Sequence, residues 1–285
     1  MEFVTPPMLM PAMEPLLGGE ISAVEELLNY GYRAAWKVIA NGERFMVKAD
    51  LREGFQAREV AAQEHARSAG VPVAETVLSR DGDVPVHAMR WVEGGSLRGC
   101  HSARSWRAAG RVLRLAHSAA PLWPTPERPG RFVAGWLQRE LPYCVAHHGL
   151  TAADAELVLG QAERLRPILD RAPPTWLHGD CQAAHFLLEP DGDRIAAVVD
   201  WADAHEGDPV MDFAVLTLFD REALPAVLDG YDASEELRDR AALSLPLYRA
   251  ARGAASMRWL DAHDYAGEQW PVDALRQVAA LEAAR

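Results

Sequence analysis

One segment of the chain collects side chains that can exchange protons or bind metal ions. Asp180 follows the apolar pair Trp176-Leu177 at the mouth of a turn, and His185 comes five residues later. Asp200 closes the apolar run 195–199. A carboxylate at the end of a buried run is costly unless it binds a cation or accepts hydrogen bonds, so we expect Asp200 to have such a partner. The other polar residues of this segment are His178, Asp203, His205 and Asp208.

Asp180, His185 and Asp200 together fit the requirements of phosphoryl transfer. That reaction needs an aligned hydroxyl and neutralised phosphates, with little covalent work from the protein. One aspartate orients or deprotonates the hydroxyl, and a second holds the Mg²⁺ that bridges the β- and γ-phosphates. We therefore predict that Asp180 is the catalytic base and that Asp200 and His185 lie on the metal side.

The elements before this segment are predicted to form a small antiparallel sheet with one inserted helix. Asn41-Gly42 between two apolar runs predicts a β-hairpin over residues 35–48. Residues 23–28 predict a third strand, and residues 55–69 carry helix formers up to a stop at Gly70. Two further strands are predicted at 73–78 and 84–92, around a turn at 81–83.

The remainder of the chain has helical spacing, interrupted by short β-type runs around the polar segment. We predict helices over 103–119, 132–148 and 152–170, the second of them kinked or broken at Pro142. Residues from Met211 onward are predicted to be helical. Short strands are predicted at 176–178, 186–188 and 195–200, with turns at 190–192 and 207–209.

The predicted fold class is α+β, with two lobes joined by a glycine hinge at residues 93–95. A proline-rich leader covers residues 1–20. Residues 21–93 form a β-rich N-lobe, and residues 94–285 form a mainly helical C-lobe with a β-hairpin island.

Composition and charge narrow the class of protein. The chain has 285 residues, a net charge of −12 and a sequence pI near 5.3, so it lacks the basic footprint that nucleic acids demand. Three cysteines without a CxxC pair indicate free thiols in a reducing compartment. No run approaches the length of a membrane span, and the first residues do not fit a signal peptide. We expect a cytoplasmic enzyme that binds neither nucleic acid nor membrane.

Three motifs resemble those of the aminoglycoside phosphotransferase and choline kinase superfamily. They are His178–Leu188, which resembles the family's HGD…N loop, Val198–Trp201, a strand ending in Asp-Trp, and Gly207–Ala214, which resembles GDP…DLA. The order and spacing of the three motifs match the family. Weaker similarity extends to the strand ending in Lys48, the helix of residues 58–62, the hinge at 89–94, and Leu115–Ser118.

The resemblance implies a protein-kinase-like two-lobed fold and a kinase that transfers the γ-phosphoryl group of ATP (or GTP), with Mg²⁺, to a small-molecule hydroxyl. It implies Asp180 as catalytic base and Asp200 as Mg²⁺ ligand. By the same resemblance Lys48 contacts the α- and β-phosphates and Glu59 pairs with Lys48. The backbone groups of Arg90 and Val92 would hold the adenine.

His185 departs from the family pattern, which has a metal-binding Asn at this position. Mg²⁺ prefers oxygen ligands, whereas imidazole suits Zn²⁺, Mn²⁺ or Fe better. Two alternatives to an active kinase follow. The His and Asp cluster could form a transition-metal site for hydrolysis, or the protein could be a degenerate kinase that binds nucleotide with little catalysis.

The acceptor is expected to be an aminoglycoside-like or other antibiotic, or a metabolite alcohol. The charge of −12 favours a cationic acceptor and, with the resemblance, a role in antibiotic resistance. The acceptor is predicted to contact carboxylates of the C-lobe. The candidates are Asp203, Glu206, Glu140, Asp261 and Asp264.

Overall fold

The computed structural model describes residues 13, 17–80, 84–125, 127–263, 265 and 268–285. The chain divides into two compact units. The first contains the residues up to Cys100 together with Ala184–Ala204, and the second contains His101–Ala183 and His205–Arg285. No helix within the described ranges is long and apolar enough to cross a membrane.

The first unit is built on a five-stranded antiparallel sheet with the order β1-β2-β3-β5-β4. Ala40 pairs with Glu43 across Asn41 and Gly42, and both loop residues have positive φ, 52° and 76°. This two-residue loop is the hairpin that Asn-Gly predicts, since both positions need left-handed backbone. The strands are β1 (Ile21–Asn29), β2 (Arg33–Ala40), β3 (Glu43–Asp50), β4 (Thr76–Arg80) and β5 (Val86–Arg90).

The three strands and the hairpin expected from the first fifty residues are confirmed, and so is the helix, α1 (Phe55–Ser68). The turn predicted at 81–83 lies outside the described residues, as does most of the expected leader. Met13 and Leu17, which fall in that leader, are buried in an apolar cluster with Trp36 and Phe45 of the sheet.

Alternation along β3 sends its side chains to opposite faces of the sheet. Val47 and Ala49 belong to the apolar cluster. Lys48 therefore projects to the other face, beside His87, its partner in register on β5. Helix α1 contributes to this second face, because Gln63 Nε2 donates to Thr76 Oγ1 of β4 at 3.1 Å and that hydroxyl lies 3.1 Å from His87 Nε2. The face is polar and buried, which is unusual for a small sheet and indicates a functional role.

A short hairpin completes the first unit. Strands β7 (Phe186–Leu188) and β8 (Ile195–Val198) pair antiparallel. The segment after β5 lies against β7, because Leu97 N donates to the Phe186 carbonyl at 2.8 Å and Leu188 N donates to the Gly95 carbonyl at 2.7 Å. The expected island of short strands is thus confirmed for these two.

The second unit is mainly helical. Its helix α3 runs through Pro142 as one element, so of the predicted kink or break the break does not occur, although the proline removes one backbone donor. The helices are α2 (Ala103–His117), α3 (Pro129–His147), α4 (Ala152–Leu169), α5 (Pro209–Leu216), α6 (Leu224–Tyr231), α7 (Glu235–Ala262) and α8 (Trp270–Ala283).

Two short strands position the polar segment of the second unit. Strand β6 (Thr175–Leu177) pairs antiparallel with β9 (His205–Gly207), a strand that the sequence did not predict. Helix α5 then begins at Asp208, whose Oδ1 accepts from Val210 N at 3.1 Å, with Pro209 in the first helical position. An aspartate at the N-cap followed by proline is typical of a helix start.

Candidate active site

The lysine on β3 is held by two carboxylates of the first unit. Lys48 Nζ donates to Glu59 Oε1 at 2.5 Å and to Asp200 Oδ1 at 3.1 Å. The Glu59 side chain is only 2% exposed, so this lysine is its buried partner. The pairing of Lys48 with Glu59 was expected from the sequence, and the contact of Lys48 with Asp200 joins the sheet, the helix and the hairpin in one network.

Arg33 was not predicted at this site, yet it is the closest cation to Asp200. Its Nη2 donates to both carboxylate oxygens, at 2.7 Å to Oδ1 and 3.0 Å to Oδ2. Arg33 is the first residue of β2, directly after the turn that contains Gly31. The only sequence signal was a basic residue closing that turn, and nothing in its spacing indicated a partner 167 residues away.

The cations around Asp200 determine its charge state. Burial opposes ionisation of this carboxyl, but Lys48, Arg33 and His185 outweigh burial and hold its pKa well below the usual range. Burial likewise disfavours the charged form of Lys48, and the neighbouring carboxylates Asp200 and Glu59 reverse that effect and raise its pKa. Asp200 is therefore an ionised carboxylate, and a cationic side chain contacts each of its oxygens.

The backbone of Asp200 is strained. Its φ is +68°, a left-handed conformation that costs a non-glycine residue about 1 kcal/mol. The ion pairs of its side chain hold the residue in this conformation. Strain of this kind is tolerated where the surrounding structure fixes the residue, which occurs most often at functional sites.

His185 also faces Asp200, at a longer distance. Its Nε2 lies 3.7 Å from Asp200 Oδ2, too far for a hydrogen bond but close enough for a shared cation. The backbone fixes the pair, because Val199 N donates to the His185 carbonyl at 3.0 Å. The Asp200 carboxylate and the His185 imidazole thus face each other. The contact with Arg33 shows that this carboxylate accommodates a cation.

The predicted base, Asp180, belongs to the second unit and follows strand β6. Arg252 Nη2 donates to its Oδ1 at 2.7 Å, and Gln182 Nε2 lies 3.1 Å from each of its oxygens. Arg252 is on helix α7, and the sequence reasoning did not single it out. Asp180 retains 14% side-chain exposure, so its carboxylate is held in place without being sealed from a ligand.

A second aspartate of this unit holds the backbone that carries Asp180. Asp212 Oδ2 accepts from His178 N at 2.8 Å, and Oδ1 accepts from Gly179 N at 3.1 Å. His117 Nε2 lies 3.0 Å from Oδ2. Burial opposes the charge of Asp212, and its bonds to His117 and His178 outweigh that effect and lower its pKa. Asp212 therefore anchors the turn in front of Asp180.

Some of the backbone groups expected to hold the adenine already make hydrogen bonds within the protein. Arg90 N donates to the Glu75 carbonyl at 2.9 Å, and its guanidinium pairs with Glu43 and Glu75, each at 2.9 Å. The Arg90 N–H is therefore already used. The backbone of Val92, in contrast, makes no hydrogen bond to any residue that the structure describes.

Most of the carboxylates predicted to bind a cationic acceptor have partners of their own. Glu140 pairs with Arg258 at 3.1 Å. Asp261 Oδ2 accepts from Tyr143 Oη at 2.5 Å and contacts His148 Nε2 at 2.8 Å.

The other three acceptor candidates have no environment in common. Glu206 Oε2 accepts from Thr125 N. Asp203 is exposed and belongs to the first unit. Asp264 lies outside the described residues.

The family model described as "phosphotransferase enzyme family" matches residues 31–253 of the chain. This match covers more than half of the 285 residues. The chain belongs to this family. It is a small-molecule phosphotransferase that acts on hydroxyl groups. The hydrolase alternative is therefore not supported.

Several solved structures have a similar fold. A choline/ethanolamine kinase family protein from Mesorhizobium loti is 20% identical with a TM-score of 0.70, over 96% of this chain and 92% of that one. Choline kinase LicA from Streptococcus pneumoniae is 14% identical with a TM-score of 0.72, over 98% and 99% of the two chains. These similarities confirm the expected protein-kinase-like α+β fold.

A third structure was determined with ligands. A thermostable mutant of aminoglycoside phosphotransferase APH(4)-Ia, in a ternary complex with ADP and hygromycin B, is 17% identical with a TM-score of 0.66, over 96% of this chain and 98% of that one. None of the curated proteins compared with the chain matches it significantly.

Proposed function

We propose that this phosphotransferase moves the γ-phosphoryl group of ATP (or GTP) to a hydroxyl of a small antibiotic, aminoglycoside-like compounds included, or of a metabolite. The observation that carries the proposal is the double contact of Lys48 with Glu59 and Asp200. A buried lysine fixed by a helix glutamate and by an aspartate after a hairpin strand is the arrangement that protein kinases use around nucleotide phosphates.

The first unit supplies the nucleotide-binding groups. Lys48 contacts the α- and β-phosphates, and Glu59 keeps the ammonium group extended towards them. The backbone groups of Val92 hold the adenine, with the Arg90 carbonyl beside them. Arg33 adds a second cation within reach of the phosphates. The solved relatives with ADP or with AMP-PNP and hygromycin B support the use of a nucleotide.

Asp200 and His185 would hold a divalent cation, Mg²⁺ in our proposal. The residues fit such an ion, because Asp200 is ionised and already binds a guanidinium on both oxygens. When bound, the ion supplies charge neutralisation across the β- and γ-phosphates. The imidazole of His185 shifts the preference of the pair towards Mn²⁺. Arg33 must release Asp200 for the carboxylate to become a ligand.

Asp180 serves as the base. The acceptor oxygen forms a bond to the γ-phosphorus while the bond from that phosphorus to the β-phosphate oxygen breaks. The hydroxyl proton passes to the Asp180 carboxylate, and the nucleoside diphosphate leaves. Gln182 and Arg252 fix the orientation of the carboxylate, and Asp212 fixes the backbone beneath it. Alignment of this kind supplies a large share of the rate enhancement.

The experiment that tests the proposal is a nucleotide-consumption screen. Purified protein is incubated with ATP or GTP and Mg²⁺ or Mn²⁺ across aminoglycosides, other antibiotics and metabolite alcohols, with His185→Asn in parallel. We expect acceptor-dependent release of nucleoside diphosphate, and a shift of the metal preference of His185→Asn towards Mg²⁺. Tight nucleotide binding without product for any acceptor would instead support the degenerate kinase.

A further inference from the structure

A guanidinium lies directly on the predicted base of the second unit. Arg252 Nη2 donates to Asp180 Oδ1 at 2.7 Å, and the Arg252 side chain is 23% exposed. Its Nε and Nη1 make no hydrogen bond to any of the described residues. A guanidinium presents five donors in a planar fork that matches a carboxylate. Arg252 therefore keeps donors for a second anion while it holds Asp180.

The neighbouring turn of helix α7 is also basic. Arg249 lies three residues before Arg252, on the same side of the helix. Its Nη2 donates to Thr217 Oγ1 at 2.8 Å. Burial, and then the charge of Arg221, lower the pKa of Arg249 to about 10. Two arginines one turn apart thus lie on this side of α7.

Carboxylates that would offset this charge for a cationic ligand are engaged elsewhere. Glu140 is neutralised by Arg258, and Asp261 is bound by Tyr143 and His148. A cationic acceptor that brings its hydroxyl to Asp180 would place its own charge beside Arg252. An anionic acceptor would find unused N–H donors at the same place.

On the basis of the proposed function, we infer that the acceptor carries a carboxylate close to the hydroxyl that receives the phosphoryl group. Arg252 binds this carboxylate through Nη1 and one N–H of Nη2, and the other N–H of Nη2 continues to hold Asp180. The fork then presents the acceptor hydroxyl to the base. Arg252 is a specificity-determining residue for hydroxy acids, and the bond changes of the transfer step are those given above.

The test compares hydroxy acids with their neutral partners. Glycerate, 3-hydroxybutyrate and 4-hydroxybutyrate are each assayed beside the corresponding primary amide, with kanamycin as the cationic acceptor. Two measurements are made on each: release of nucleoside diphosphate, and the shift in melting temperature without nucleotide. We expect kcat/KM for the best acid to exceed that for its amide by about 10- to 100-fold, the effect of one charge-assisted hydrogen-bonded pair.

Three variants separate recognition from mere positioning of the base. Arg252→Gln should bring the ratio of acid to amide towards one, chiefly by raising KM for the acid. Arg252→Lys keeps the charge but loses the fork, so it should retain part of the ratio. Arg238→Gln removes an arginine at the other end of α7, which pairs with Asp229, and should leave the ratio unchanged.

The outcomes distinguish failure of the Arg252 assignment from failure of the proposed phosphoryl transfer. A preference for amides or kanamycin, or an acid-to-amide ratio unchanged in Arg252→Gln, overturns the assignment of Arg252 while phosphoryl transfer stands. If no acceptor releases nucleoside diphosphate but the acids alone raise the melting temperature, and do so only with Arg252 present, the anion site stands and the proposed transfer fails. If neither response appears, both are refuted.

Discussion

Arg33 donates to both carboxylate oxygens of Asp200, because its Nη2 lies 2.7 Å from Oδ1 and 3.0 Å from Oδ2. The arginine therefore occupies the side of Asp200 that a divalent cation would need. Since Lys48 remains bound to Oδ1 at 3.1 Å, Asp200 does not depend on Arg33 alone for charge balance. A divalent cation that binds Asp200 would therefore compete with Arg33.

Replacement of Arg33 should expose this competition. Arg33→Ala is expected to bind Mn²⁺ about tenfold more tightly, because the ion no longer displaces a charge-assisted pair. Calorimetric titration with Mn²⁺ alone measures the effect. Arg44→Ala is the matched control, since Arg44 pairs with the exposed Glu93 in the same unit. Equal or weaker Mn²⁺ binding by Arg33→Ala would show that the arginine does not compete.

The buried pair of Lys48 and Glu59 gives a prediction for stability. Lys48→Met leaves the Glu59 carboxylate, 2% exposed, without its cation, and should lower the free energy of unfolding by about 3–5 kcal/mol. The double variant Lys48→Met/Glu59→Gln should recover most of that loss, while neither variant binds nucleotide. Urea titration and nucleotide binding are measured together. Nucleotide binding that survives in the double variant would contradict the role of Lys48.

His87 should make the first unit sensitive to acid. Burial, and then the charge of Lys48, lower its pKa to about 3. The unfolded chain, with an ordinary histidine pKa of about 6.5, therefore binds the proton first, and stability is lost as pH falls below that value. Between pH 7 and 5 the free energy of unfolding should fall by about 2 kcal/mol more in the wild type than in His87→Gln.

Urea titrations at several pH values check this difference. Equal pH slopes for the wild type and His87→Gln would mean that His87 is protonated as readily in the folded chain as in the unfolded one.

Local sequence rules predicted the elements of the fold well. Asn41-Gly42 fixed the hairpin register, and Gly70 ended helix α1, because each acts through the backbone of its immediate neighbours. Helix α3 shows the limit of such rules. Pro142 was expected to kink or break the helix, and α3 continues across it as one element without the break.

The sequence predicted contacts in the site only for residues that belong to a motif. The pairing of Lys48 with Glu59 spans 11 residues between consecutive elements and follows from their adjacency. Arg252 reaches Asp180 across 72 residues, and neither its spacing nor its surroundings in the sequence indicate this contact. The sequence likewise does not show the partners of the acidic acceptor candidates, such as Arg258 beside Glu140.

The role of Asp180 is tested most directly by comparing Asp180→Ala with Asp239→Ala, which changes an exposed aspartate of α7. Acceptor-dependent release of nucleoside diphosphate and nucleotide affinity are measured on both. Asp180→Ala should lose at least about 100-fold in turnover, the usual effect of removing a general base, and keep its nucleotide affinity within about twofold. Asp239→Ala should match the wild type. Undiminished turnover in Asp180→Ala would contradict the assignment of the base and the mechanism built on it.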